Sequence, residues 1–116
     1  MIEYDGRRFS PVSDTPRDTP VAHYHQSGDL LWGEFSGAEV RRGTLVGTSD
    51  PRGVLNFAYC MVNEDGAVVT GLCRSVPEVL ADGRIRLTEH WERFGPGASS
   101  GVSALEELPA AVPARL

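Results

Sequence analysis

The chain has 116 residues, 41% of them hydrophobic and 23% charged, with a formal net charge of −5. That length supports one domain, and the acidic balance excludes the basic face that nucleic-acid phosphates require. No apolar run approaches the ~20 residues of a membrane span. The opening "MIEYDGRRFS" lacks the apolar core of a secretion signal, so a cytoplasmic protein with neither nucleic acid nor membrane as partner is expected.

Along the chain, turn signals recur at "SGD" (27–29), "SGA" (36–38), "SDPRG" (49–53), "NEDG" (63–66), "ADG" (81–83) and "FGPGASSG" (94–101). The segments between them are short, rich in β-branched and aromatic residues, and often alternate with polar ones, the pattern of consecutive antiparallel hairpins. Eight strands are predicted, at about 6–13, 21–27, 30–36, 39–48, 54–63, 67–80, 84–94 and 100–107. Few connections are long enough for the crossovers of a sandwich. Eight strands suit a closed up-and-down barrel that can enclose one small ligand. The expected fold is therefore all-β, an eight-stranded antiparallel barrel over residues 1–107 followed by a flexible proline-rich tail, 108–116. The stretch "TPRDTP", 15–20, is long enough to cover one mouth.

The second hairpin, "VAHYHQSGDLLWGEF" (21–35), raises a metal question. His23 and His25 share a strand face, and Glu34 stands opposite as a third ligand. A two-residue turn at Gly28–Asp29 pairs Ala22 with Phe35, Tyr24 with Gly33 and Gln26 with Leu31. Ala22, Tyr24, Leu31 and Phe35 then face inward, and both histidines and Glu34 form a solvated outer face, so no metal site is expected. A turn at Gly37–Ala38 places Arg42 inside opposite Gly33, with Leu45 competing for that place. Trp32 then lies outside over Gly43, where an aromatic can cover a strand glycine or mark a homodimer contact.

Two-residue turns at Asp65–Gly66 and Asp82–Gly83 give one inner face from the fifth to the seventh strand. It comprises Leu55, Phe57, Tyr59, Met61, Leu72, Arg74, Val76, Leu87, Glu89 and Trp91. Buried charges cost several kcal/mol unless paired, so Arg74 and Glu89 on this apolar face are either a structural clamp or ligand-facing groups. A bulged three-residue turn at Glu64–Gly66 would instead send Val69, Gly71 and Cys73 inward and Arg74 outward. Cys60 and Cys73 lie in these strands without metal-ligand spacing, as reduced thiols. The chain contains no lysine, which excludes Schiff-base chemistry.

The run "LLWGEFSG", "VRRGTLVGT", "LNFAYCMVN", "GAVVTGLCRS" and "DGRIRLTEHWER" resembles a family of short bacterial avidin- or lipocalin-like (calycin) barrels over about residues 4–107. "LVGT" and "DGRIRLTEHWE" are its strongest parts. The resemblance implies a cup-shaped barrel, with Ala22 in place of a first-strand aromatic enlarging the interior. Members are often labelled N-acetylglutamate synthase, which implies acetyl transfer from acetyl-CoA. This chain has neither the helix-flanked sheet nor the pyrophosphate-cradling glycine loop of an acetyltransferase.

A small-molecule-binding barrel is the expected function, with Tyr24, Phe35, Phe57 and Trp91 as walls and Tyr59, Arg74 and Glu89 orienting a largely apolar ligand. The alternative is a cofactor-independent cyclase or isomerase in which Glu89 or Tyr59 transfers a proton. A third reading makes the interior a packed core, with function on outer residues such as Trp32. No cofactor is expected.

Overall fold

A computed structural model describes residues 2–13 and 19–110. Its strands are β1 (Arg8–Pro11), β2 (Val21–Ser27), β3 (Leu30–Gly37), β4 (Val40–Ser49), β5 (Leu55–Asn63), β6 (Val68–Val79), β7 (Ile85–Arg93) and β8 (Ser99–Glu107). Each pairs antiparallel with the next, and β8 pairs back onto β1 to close the barrel. Closure gives every strand a hydrogen-bonded neighbour on each side, with the four residues of β1 bridging β2 and β8. At the seam Arg7 forms an ion pair with Glu107 at 2.8 Å, and the same carboxylate accepts the Ile85 amide at 3.0 Å. No helix among the described residues is long and apolar enough to cross a membrane.

The β2–β3 register matches the two-residue turn, with Tyr24 opposite Gly33 and Ala22 opposite Phe35. The two hairpins flanking β6 differ from expectation. Asn63 donates to the Ala67 carbonyl across Glu64–Asp65–Gly66, and Leu80 donates to the Arg84 carbonyl across Ala81–Asp82–Gly83. Gly66 and Gly83 take positive φ of 86° and 89°, the left-handed third position of a three-residue bulged loop. Asp65 and Asp82 accept the amides two residues on. The first extra residue turns β6 over, and the second restores β7. The inner face of β6 is therefore Gly71, Cys73 and Ser75, whereas Arg74 is exposed on the outside between Asn56 and His90. Leu72 is likewise outside, and half exposed.

The register of β4 also differs from expectation. Gly37 pairs with Val40 around Ala38–Glu39, and a register shift follows, so Phe35 faces Gly43 and Gly33 faces Leu45. The bulge leaves Arg41 and Arg42 both exposed and gives the interior place to Leu45. Phe35, not Trp32, covers Gly43. Trp32 stands outside opposite Val46.

One end of the barrel is solid. Tyr4 is fully buried beneath it, donating to the Gly53 carbonyl at 2.6 Å while its amide donates to Gln26 at 2.9 Å. Phe9 and Tyr24 pack with it, their ring centroids 4.9 Å apart, above Leu31, Leu55, Ile85 and Leu87. Each such aliphatic side chain contributes about 1.5–3 kcal/mol by leaving water. The expected mouth cover lies outside the described residues from 15 to 18. Its end, Thr19 and Pro20, is held by Ser10 at 2.7 and 2.9 Å. Of the proline-rich end, Leu108 and Pro109 are tied to Arg8, and 111–116 lie outside the described residues.

Candidate functional site

Above the packed end the barrel opens into a cup of about 400 Å³. Three rungs of paired residues cross its wall on β5 to β8. The deepest is Leu55, Ser75, Glu89 and Ser103, the middle is Phe57, Cys73, Trp91 and Gly101, and the uppermost is Tyr59, Gly71, Arg93 and Ser99. Phe35, Leu45, Ala22 and Tyr24 complete the wall. Eight-stranded barrels are narrow enough for side chains to fill, so an open interior needs a cause.

That cause is a repeated pairing of an aromatic with a glycine on the adjacent strand. A methyl group at Gly43 would run into the Phe35 ring, at Gly71 into the Tyr59 ring, and at Gly101 into the Trp91 ring. Each pair sits directly opposite in the ladder. The missing side chain lets the ring lie against the wall instead of projecting across the lumen. The rings therefore supply an apolar lining without consuming the space.

Polar groups enter at two levels. Low in the cup, the Glu89 carboxyl receives the Cys73 thiol at 3.4 Å and, more loosely, the Ser75 hydroxyl at 3.5 Å. Burial is the main force holding this carboxyl above its usual range, opposed by those two donors. Burial and the neighbouring Glu89 push the Cys73 thiol up to about 12, so it serves as a neutral donor and not as a nucleophile. Burial, then Glu89, likewise raises the Tyr24 phenol. At the rim, Tyr59 donates to the Glu92 carbonyl at 3.3 Å. Its phenol is raised by burial and partly restored by a hydrogen bond from Arg93. The Arg93 guanidinium lies 5.3 Å from the centre of the Trp91 ring, within cation–π range.

Tyr24, Phe35, Phe57, Tyr59, Glu89 and Trp91 all line the cup, and Arg74 does not. The inward arginine is Arg93, which sequence reasoning missed. The alternation Glu89-x-Trp91-x-Arg93 on one strand face was its signal, hidden because the strand's end is where a pattern is weakest. Ser75 was missed because it lies on the strand whose register slipped, and the bulged-turn alternative recovers it together with Cys73.

The histidine cluster remains on the outside. His23 pairs in register with Glu34, but the Glu34 carboxylate reaches diagonally to His25 Nε2 at 2.7 Å, and the His25 ring stacks on Trp32 at 5.6 Å. Among the described residues no group of three His, Cys, Asp or Glu side chains comes together to hold a metal ion.

The family model described as "Avidin-like protein" matches residues 2–108. No curated protein matched the chain, and no solved structure did.

Proposed function

The chain belongs to the avidin-like family, and on that premise we propose that it is a small-molecule-binding barrel whose ligand is largely apolar and occupies the cup. One observation carries the reading: the aromatic–glycine pairs keep about 400 Å³ open inside a barrel that larger side chains would fill. A lumen maintained at the expense of core packing forgoes dispersion contacts, and a bound molecule restores them. Apolar walls with a few convergent polar groups are the usual make-up of such a site. Tyr59 and Glu89 orient the ligand, and Arg93 takes the part that Arg74 was expected to play.

The test compares native mass spectra with denatured extracts of the purified protein, after incubation with a small-molecule library. Wild type and Arg74→Ala, altered only on the outside, retain a bound molecule. Ala22→Trp, which fills the cup, loses it. Retention by the filled variant, or no bound molecule in wild type, rejects the proposal.

Glu89 supports a second reading, a cofactor-independent cyclase or isomerase. A desolvated carboxyl raised above its usual range can give and take back a proton in a dry pocket. A ligand released in altered form by wild type, and unaltered by Glu89→Gln, supports it. The exposed Trp32 beside Val46 is where a homodimer contact would lie.

A further inference from the structure

Eleven arginines supply all the permanently cationic side chains of this chain, and the four described ion pairs account for three of them, the fourth being His25 with Glu34. Arg7 holds Glu107, Arg84 holds Asp82 and Arg86 holds Glu106. Arg93 makes no ion pair among the described residues, although it is only partly exposed, and its Nε is buried with no hydrogen-bond partner. A guanidinium presents five N–H donors in a planar fork. A desolvated, unpartnered donor is costly to leave unmade, so this site is incomplete without an acceptor.

The surroundings define that acceptor. Arg93 sits on the cup's uppermost rung, steadied by the Tyr59 oxygen on one side and by the Trp91 face below. Glu89 shares its strand face four residues deeper, about 13 Å away at the rise of an extended strand. That is the backbone separation, and the two side chains form no ion pair among the described residues. Glu39 contributes to the rim but is exposed. The cup therefore has a cation at its entrance, an aromatic and aliphatic middle, and a carboxyl in its depth that already takes the Cys73 and Ser75 donors.

Resting on the ligand-binding reading, we propose that Arg93 is an anion anchor and that the ligand is an amphipathic acid. Its carboxylate, sulfonate or phosphate monoester accepts from Arg93 at the rim, while its apolar body runs down past Trp91 and Phe57 toward Glu89. The fork geometry suits bidentate recognition of such groups, which a lysine in its place would not reproduce. The surrounding acidic chain makes discrimination sharper, since an anion finds its favourable potential at this cation and not along the general surface.

The experiment uses two fluorescent probes with the same ring system, 8-anilinonaphthalene-1-sulfonate and its uncharged relative N-phenyl-1-naphthylamine. Both are titrated into wild type, Arg93→Gln and Arg93→Lys, with circular dichroism confirming each fold. In Arg93→Gln the sulfonate probe binds about ten- to a hundredfold more weakly, the scale of a lost charge-assisted hydrogen bond. The uncharged probe changes by less than about threefold, and Arg93→Lys falls between for the sulfonate. Octanoate and octyl phosphate displace the sulfonate probe, their ranking distinguishing carboxylate from phosphate, and octanol does so more weakly. Equal effects of Arg93→Gln on both probes, or octanol competing as well as octanoate, overturn the anchor while leaving a ligand cup in place. Failure of both probes to bind wild type overturns the cup reading and the anchor with it.

Discussion

Gly43→Ala tests directly why the barrel is hollow. The Phe35 ring occupies the space an alanine methyl needs at this position, and no backbone atom stands among the three nearest obstacles. The ring must therefore swing off the wall and into the lumen. Overpacking of this kind costs about 1–3 kcal/mol. Replacing a strand glycine returns about 0.5–1 kcal/mol through the unfolded chain's lost freedom. The net expectation is a loss of about 1–2 kcal/mol, or a fall in Tm of about 4–8 °C for a domain of this size. In a Phe35→Ala background the obstacle is gone, and Gly43→Ala becomes neutral or stabilises by up to about 1 kcal/mol. The double-mutant cycle thus gives a coupling of about 1–3 kcal/mol, read by urea and thermal unfolding followed by tryptophan fluorescence. If Gly43→Ala costs as much without the ring as with it, the aromatic–glycine pair does not explain the open lumen.

Glu89→Gln changes the pH dependence of stability. An acid whose folded pKa is raised binds its proton more tightly when folded, so wild-type stability falls as pH climbs from the unfolded value through the folded one. The variant should gain on wild type over that interval and run parallel to it at lower pH. Unfolding curves at a series of pH values check this, and a constant difference would contradict the assigned desolvation. Tyr4→Phe removes a buried hydrogen bond to Gly53 at the closed end and should cost about 1–2 kcal/mol, lowering Tm by about 4–8 °C. Cys60 is half-buried on the outer face, whereas Cys73 is buried with its thiol raised to about 12. Iodoacetamide at pH 8 should therefore modify Cys60 first. Tandem mass spectrometry of the tryptic peptide that carries both would report the order, and faster labelling of Cys73 would mean that Glu89 and burial do not suppress its ionisation.

The sequence by itself determined the barrel. Glycine-centred turns and short alternating segments place all eight strands close to their observed limits, because the number of hairpins and the inward–outward alternation are local properties. It also determined which faces of β2, β5 and β7 are interior, and with them Tyr24, Phe57, Tyr59, Glu89 and Trp91. What it left undecided were β4, where a bulge beyond the Ala38–Glu39 turn sends Arg42 outward, and β6, where "EDG" and "ADG" each serve a two-residue or a three-residue loop equally well. One added residue reverses every side chain on a strand, and two such additions cancel. Hence β7 kept its expected face while Arg74 left the cup and Cys73 and Ser75 entered it. Only the assembled wall decides between the alternatives, since the inner face of β6 must offer its neighbours small groups, Gly71 under the Tyr59 ring and Ser75 beside the Glu89 carboxyl. The same assembly brings Arg93, at the end of its strand, beside the Tyr59 ring lying over Gly71. That contact joins three strands, and no local pattern in any one of them contains it.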